Sequence, residues 1–288
     1  MLDTSDFMPL GKAELWSKDT ATCHLSRCEV EGKSLLKKSL HPQLLKDEKL
    51  HACMRKEYET GKLLSAVTPY VVRYHQLIDT PEECAILMDF VDGLTLDEFM
   101  QVNPLYFLDE DRLNAFMCQL LEALKAFHHA QVVHLDLKPT NLLLTSVNND
   151  LRVIDFGMSY FSIYPHTESL TMPFAAPEQM DGTGEVDCRT DIYAVGKILE
   201  YIEAKQKGES KRNRLPSIWQ SVKQRCLESQ KEDRWQNIEE IEAFLNDKML
   251  QGKQKGKLRK WMQCAVMGLL LGVAGILAFS CMKCKRIL

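Results

Sequence analysis

The chain has 288 residues, 45% hydrophobic and 26% charged, which excludes a wholly disordered protein and allows one large or two small packed domains. Its net charge of −4 is unevenly spread: of 36 Lys and Arg, eight fall in residues 251–288, where no Asp or Glu occurs, leaving 28 basic against 40 acidic residues before them. An acidic body argues against a nucleic-acid partner, which needs a positive footprint.

Cysteine usage and the N-terminus narrow the setting. The ten cysteines show no paired spacing apart from Cys281 and Cys284, and they suit a reducing cytosol better than a disulfide framework. That single CxxC has no second pair and no nearby His, so it is not a zinc signature. The opening MLDTSDFMPL lacks a basic region followed by an apolar stretch, and no signal peptide is expected.

In chain order, Ala13–Trp16, Cys23–Val30, Ser34–Lys38, Val71–Ile78 and Cys84–Phe90 read as strands around one helix, Leu44–Ser65. Asp92-Gly93, in DFVDGLT, breaks the last strand. Helices dominate from Thr95: Asp109–His129 carries Leu113, Phe116, Leu120, Leu121 and Leu124 at helical spacing, and Thr190–Gln206, Ile218–Leu227 and Ile238–Leu245 follow. No repeat of 20 to 50 residues is visible. A strand-rich beginning and a helical continuation predict an α+β pair of lobes.

The last composition shift is the sharpest. QGKQKGK is a polar linker, and Met262–Met282 then runs 21 residues without a charge, about 30 Å as a helix, the thickness of a bilayer core. Trp261 and five basic residues precede it and three follow, which predicts a single-pass membrane anchor with the main body in the cytosol.

The stretch VVHLDLKPTNLLL, Val132–Leu144, sets Asp136, Lys138 and Asn141 in a short polar interruption of an apolar run. Nineteen residues after Asp136 comes Asp155 in VIDFGMS; PFAAPEQ follows with Ala176, Pro177 and Glu178, and RTDIYAVG with Asp191. Each motif alone is weak, but this ordered set resembles the protein kinase superfamily over residues 10–247. The resemblance implies a two-lobed kinase-like fold, β-rich over 10–91 and helical over 92–247. A basic linker at 248–260, a transmembrane helix at 261–282 and a basic tail at 283–288 would complete the chain.

That resemblance assigns the chemistry as well. Phosphoryl transfer needs metal ions on the triphosphate, a positive charge on the phosphates and a carboxylate beside the attacking hydroxyl. Asp136 would orient that hydroxyl and take its proton, Lys138 would neutralise the transferred group, and Asn141 with Asp155 would hold Mg²⁺ as hard oxygen ligands. The apolar brackets would pin the loop so that its polar atoms are preorganised. In GKSLLKKSLHP strand alternation puts Lys37 and Lys38 on opposite faces; the family pattern favours Lys38 on the ATP phosphates, ion-paired with Glu57. Met88 would back the adenine pocket, with the backbone of Asp89 and Val91 on the adenine edge. Thr171 resembles the threonine that bonds the catalytic aspartate, Glu178 would pair with Arg234, and His134 reads as buried scaffold rather than a base. Lys138 marks the Ser/Thr class, with a protein as substrate and ATP as phosphoryl donor.

Three departures stand against this pattern. No glycine occurs between Ala13 and Val30, where the family has its glycine-rich loop; Leu135 replaces the arginine before the catalytic aspartate; and Gly61 lies one turn after Glu57, where an apolar side chain is usual. The alternative is a catalytically dead, membrane-tethered binding module; a kinase for a small molecule or lipid is a third reading.

Overall fold

Strand alternation and one capped helix build the N-terminal lobe. A computed structural model describes residues 16–30, 32–161, 173–180, 185–209, 214–248 and 250, in two compact units, residues 1–239 and 240–288. In the first unit, β1 (Ser17–Asp19), β2 (Cys23–Val30) and β3 (Lys33–Leu40) precede helix α1 (Glu48–Val67), and β4 (Tyr74–Asp79) and β5 (Cys84–Asp89) follow it. The five strands form one antiparallel sheet in the order β1-β2-β3-β5-β4.

Of the predicted strand Ala13–Trp16, residues 13–15 lie outside the described residues and Trp16 precedes β1; two other predicted boundaries move for identifiable reasons. Helix α1 starts at Glu48 rather than Leu44, because Asp47 caps it by accepting from the Lys49 and Leu50 backbone N–H groups, while Pro42–Leu44 form a separate 3-10 turn. The strand expected at Val71 begins at Tyr74, because Val71 bridges in parallel to Val153 and the Tyr70 carbonyl accepts from the Val153 N–H at 2.7 Å.

Helices carry the rest of this unit. Strand β6 (Gly93–Thr95) leads into α2 (Leu96–Val102) through a Thr95/Glu98 capping box, and α3 (Glu110–His129) is capped by Asp109. On α3, Leu113, Phe116, Met117, Leu120, Leu121, Leu124 and Phe127 are all buried, each worth roughly 1.5–3 kcal/mol relative to exposure. Short strands follow: β7 (Val132–Val133), β8 (Leu142–Thr145), β9 (Leu151–Val153) and β10 (Tyr160–Phe161). Strands β6, β8 and β9 form one sheet, and β7 pairs with β10. Helices α4 (Pro177–Met180), α5 (Cys188–Glu209) and α6 (Ser217–Cys226) complete it.

In the second unit, residues 240–248 are helical. Among the described residues no helix is long and apolar enough to cross a membrane. The apolar stretch at residues 262–282 lies outside the described residues.

Candidate active site

Apolar anchors clamp the polar loop from both ends. Val132, Leu137, Leu142 and Leu144 are buried, β7 is paired to β10, and β8 is paired on both sides, so residues 134–141 have little freedom. Asp191, on α5, accepts from the His134 and Leu135 N–H groups at 2.9 Å each, and the His128 ring lies 3.0 Å from the same carboxylate. Leu135 takes φ +64 and its carbonyl accepts from Gln179 Nε2 at 2.9 Å. The loop backbone is thus held by side chains from α4 and α5 although the usual arginine is absent. Neither His128 nor Gln179 was singled out from sequence; both act through contacts more than 40 residues apart along the chain.

Within the loop, Asp136 is the hub. Its Oδ2 accepts from Lys138 Nζ at 2.7 Å and from Asn141 Nδ2 at 3.1 Å, and Asn141 Nδ2 also donates to the Asp136 carbonyl at 2.9 Å. The amide nitrogen of Asn141 is therefore committed to Asp136, which leaves the amide oxygen as its ligand atom. His134 is wholly buried and packs on Phe156 at 5.2 Å between ring centroids, a scaffold position.

The second cluster comes from the N-terminal lobe. Pairing of β3 with β5 sets Lys38 opposite Ile86 and Lys37 opposite Leu87, so the two lysines face opposite ways. Lys38 Nζ donates to both Glu57 oxygens, at 2.9 and 2.7 Å, and lies 3.3 Å from Asp155 Oδ1. Lys37 instead pairs with Glu83 at 2.5 Å. Burial works against the Lys38 ammonium, but Asp155 and Glu57 hold its pKa well above the ordinary value. The Lys38 charge, opposed by burial, holds the Asp155 carboxyl below the usual range. Asp155 sits at φ +67, a strained conformation that directs its carboxylate toward Lys38. One carboxylate and one amide oxygen suit a hard divalent cation such as Mg²⁺.

Gly61 has a structural explanation. A Cβ there would lie 2.3 Å from Tyr74 Cε2, so the helix gives up a side chain to admit the Tyr74 ring. Tyr74 packs on Phe156 at 6.5 Å, and Phe156 on Phe127 at 5.7 Å. The aromatic ring from β4 thereby supplies the apolar volume expected from the helix. Gly61→Ala should destabilise the domain by about 1–3 kcal/mol by overpacking, and pull Glu57 from Lys38. Adding Tyr74→Leu should restore much of it, as a double-mutant cycle in urea denaturation will report.

The remaining predicted positions are resolved in part. Met88 is buried; the Asp89 N–H donates to the Arg73 carbonyl and its Oδ1 lies 2.6 Å from His75 Nε2, so of its backbone groups the carbonyl is the one left for a ligand. The Val91 N–H has no partner among the described residues. Glu178 and Arg234 form a buried bidentate pair, both contacts 2.8 Å. Thr171 lies outside the described residues. The β1–β2 turn is three residues long and closed on itself: the Thr20 N–H donates to the Cys23 carbonyl at 2.8 Å and the Thr20 hydroxyl accepts from the Cys23 N–H at 3.0 Å.

Comparison with known proteins identifies the family. The family model for the protein kinase domain matches residues 20–264. Among curated proteins, the chain is similar to serine/threonine-protein kinase ppk25 of Schizosaccharomyces pombe, 33% identical over 151 residues, covering 51% of this chain and 34% of that protein. It is 30% identical to serine/threonine-protein kinase 17A of Oryctolagus cuniculus over 146 residues, covering 48% and 36%. It is 29% identical to serine/threonine-protein kinase PrkC of Bacillus subtilis over 204 residues, covering 61% and 30%. The chain thus spans about a third of the length of these relatives.

Proposed function

Since the chain belongs to the protein kinase family, we propose that it transfers the γ-phosphate of ATP to a Ser or Thr hydroxyl of a protein. The observation that carries this reading is the Lys38–Glu57–Asp155 cluster, assembled with Lys38 in reach of both carboxylates. Lys38 holds the phosphates. The Val91 N–H and Asp89 carbonyl are free to meet the adenine edge. Asp136 orients the acceptor hydroxyl and takes its proton, and Lys138 offsets charge on the transferred group. Asn141 and Asp155 would hold Mg²⁺, which supplies charge neutralisation across the phosphates when bound.

The experiment compares two adjacent lysines in the full-length chain. Lys38→Met should lower phosphoryl transfer to a generic acceptor such as casein by about 10²–10³-fold, in the range for removing one preorganised electrostatic group; Lys37→Met should change it little. ATP bound by Lys38→Met as tightly as by the parent would refute the assignment of this lysine.

One observation favours a second reading. The glycine-free β1–β2 turn is closed by its own hydrogen bonds, which limits backbone approach to a triphosphate. A chain that binds partners without catalysis would keep the fold and tolerate that turn. Absence of transfer by the parent chain with Mg²⁺ and ATP, its fold intact, would favour this binding module.

The reading extends to location: residues 261–282 anchor the chain in a bilayer with the kinase domain on the cytosolic side, supported by the uncharged run and its basic flanks. Full-length chain should stay with membranes through alkaline carbonate, and deletion of residues 257–288 should release it. Full-length protein washed off by carbonate would refute the anchor.

A further inference from the structure

Outside the cluster just described, three side chains of metal-binding type converge where α1 meets the β4–β5 hairpin. Asp79 closes β4 and Cys84 opens β5, and the two are direct cross-strand partners, so their side chains share a face. His51, in the first turns of α1, joins them. One ring nitrogen of His51, one carboxylate oxygen of Asp79 and Cys84 Sγ all lie within 4.8 Å of one another. His51 is 5% exposed and Cys84 fully buried.

The surroundings of each donor suit coordination. His51 Nε2 lies 3.1 Å from the Leu45 carbonyl, which can only accept, so Nε2 carries a proton. This is the outer hydrogen bond that a ligating histidine usually makes, and it leaves Nδ1 as the ligand atom. Arg55 Nη1 holds Asp79 Oδ2 at 2.5 Å, which leaves Oδ1 to face His51 at 2.6 Å. The buried Cys84 thiol makes no hydrogen bond among the described residues.

We propose that His51, Asp79 and Cys84 bind a thiophilic divalent cation of the Zn²⁺ class, with water in the fourth position. One nitrogen, one oxygen and one sulfur ligand are the mixed set that Zn²⁺ accepts in a tetrahedral site with an open position. Binding releases the Cys84 thiol proton, and the proton between His51 and Asp79, to solvent. Tetrahedral ligands at about 2.0–2.1 Å stand roughly 3.3 Å apart, so Asp79, at the partly exposed edge, swings away from His51 as the ion enters. The ion then ties the start of α1 to the hairpin. Glu57 lies on the same helix, so the ion steadies the element that carries it.

The competing arrangement is a metal-free imidazolium–carboxylate pair, with both ring nitrogens of His51 protonated. The test uses full-length chain carrying Cys264→Ser, Cys281→Ser and Cys284→Ser, so that the C-terminal cysteines add no thiolates, stripped with chelator and titrated with Co²⁺ and then Zn²⁺. One equivalent of Co²⁺ should bind with a thiolate charge-transfer band, Zn²⁺ should displace it, and Zn²⁺ should raise the Tm. Cys84→Ser should abolish the band. Asp79→Asn, a partly exposed position that leaves the core intact, should weaken binding at least about tenfold. No band from the parent, or a band kept at full affinity in either variant, overturns the site in favour of the imidazolium pair.

Discussion

Asp155→Asn should abolish Mg²⁺-dependent phosphoryl transfer while leaving the fold intact. The carboxylate faces Lys38 at 3.3 Å, and its side chain is 44% exposed, so the substitution removes a charge from a cleft rather than volume from the core. Asparagine keeps the shape and loses the anionic oxygen that a hard cation prefers. Loss of one charge-stabilising group at a transition state typically costs about 10²–10³-fold or more. Thermal unfolding of the variant should stay near the parent, and transfer measured with radiolabelled ATP should fall to background. Transfer that persisted in a folded variant would sink the assignment of Asp155, and with it the catalytic reading.

Arg234→Ala should be the most destabilising single change at any named ion pair. Arg234 is wholly buried, donates from two nitrogens to the two oxygens of Glu178, and also donates to the Glu228, Ser229 and Arg189 carbonyls. Burial works to raise the Glu178 carboxyl, but Arg234 holds it below its ordinary value, so removing the guanidinium strands a buried charge. Breaking such a pair costs about 3–5 kcal/mol, a fall in Tm on the order of 10 °C for a domain of this size. Arg234→Lys should recover only part of that, because an ammonium cannot reproduce the planar fork. Glu178 is followed by Gln179, which holds the Leu135 carbonyl. Transfer by Arg234→Ala should therefore also drop below the level set by its folded fraction. A stability loss under about 1 kcal/mol would refute the structural weight given to the pair.

Residues close in the chain were the readable ones. The α3 stripe is set by a 3.6-residue period, and every residue named on it is buried. The separation of Lys37 from Lys38 follows from the two-residue pleat, which needs no tertiary information. Asp136, Lys138 and Asn141 lie within six residues, and the loop that joins them returns their side chains to one point. The Glu178–Arg234 pair was also legible, through the family resemblance rather than through spacing.

Chain chemistry alone therefore determined the main strands and helices of the two lobes and the polar loop, while the family resemblance singled out Asp155 and favoured Lys38 over Lys37. These depend on local periodicity and on ordered motifs. Tertiary structure decided how the departures are accommodated. Gly61 reads as a gap until the Tyr74 ring, thirteen residues away on another element, is seen to occupy the space. Leu135 reads as a lost anchor until Asp191 and Gln179 are found holding its backbone. His51, Asp79 and Cys84 look unrelated along the chain, and only the docking of α1 on the β4–β5 hairpin brings them together. Volume exchange and backbone capture act between side chains that approach in space, and the chain order of residues carries no record of those approaches.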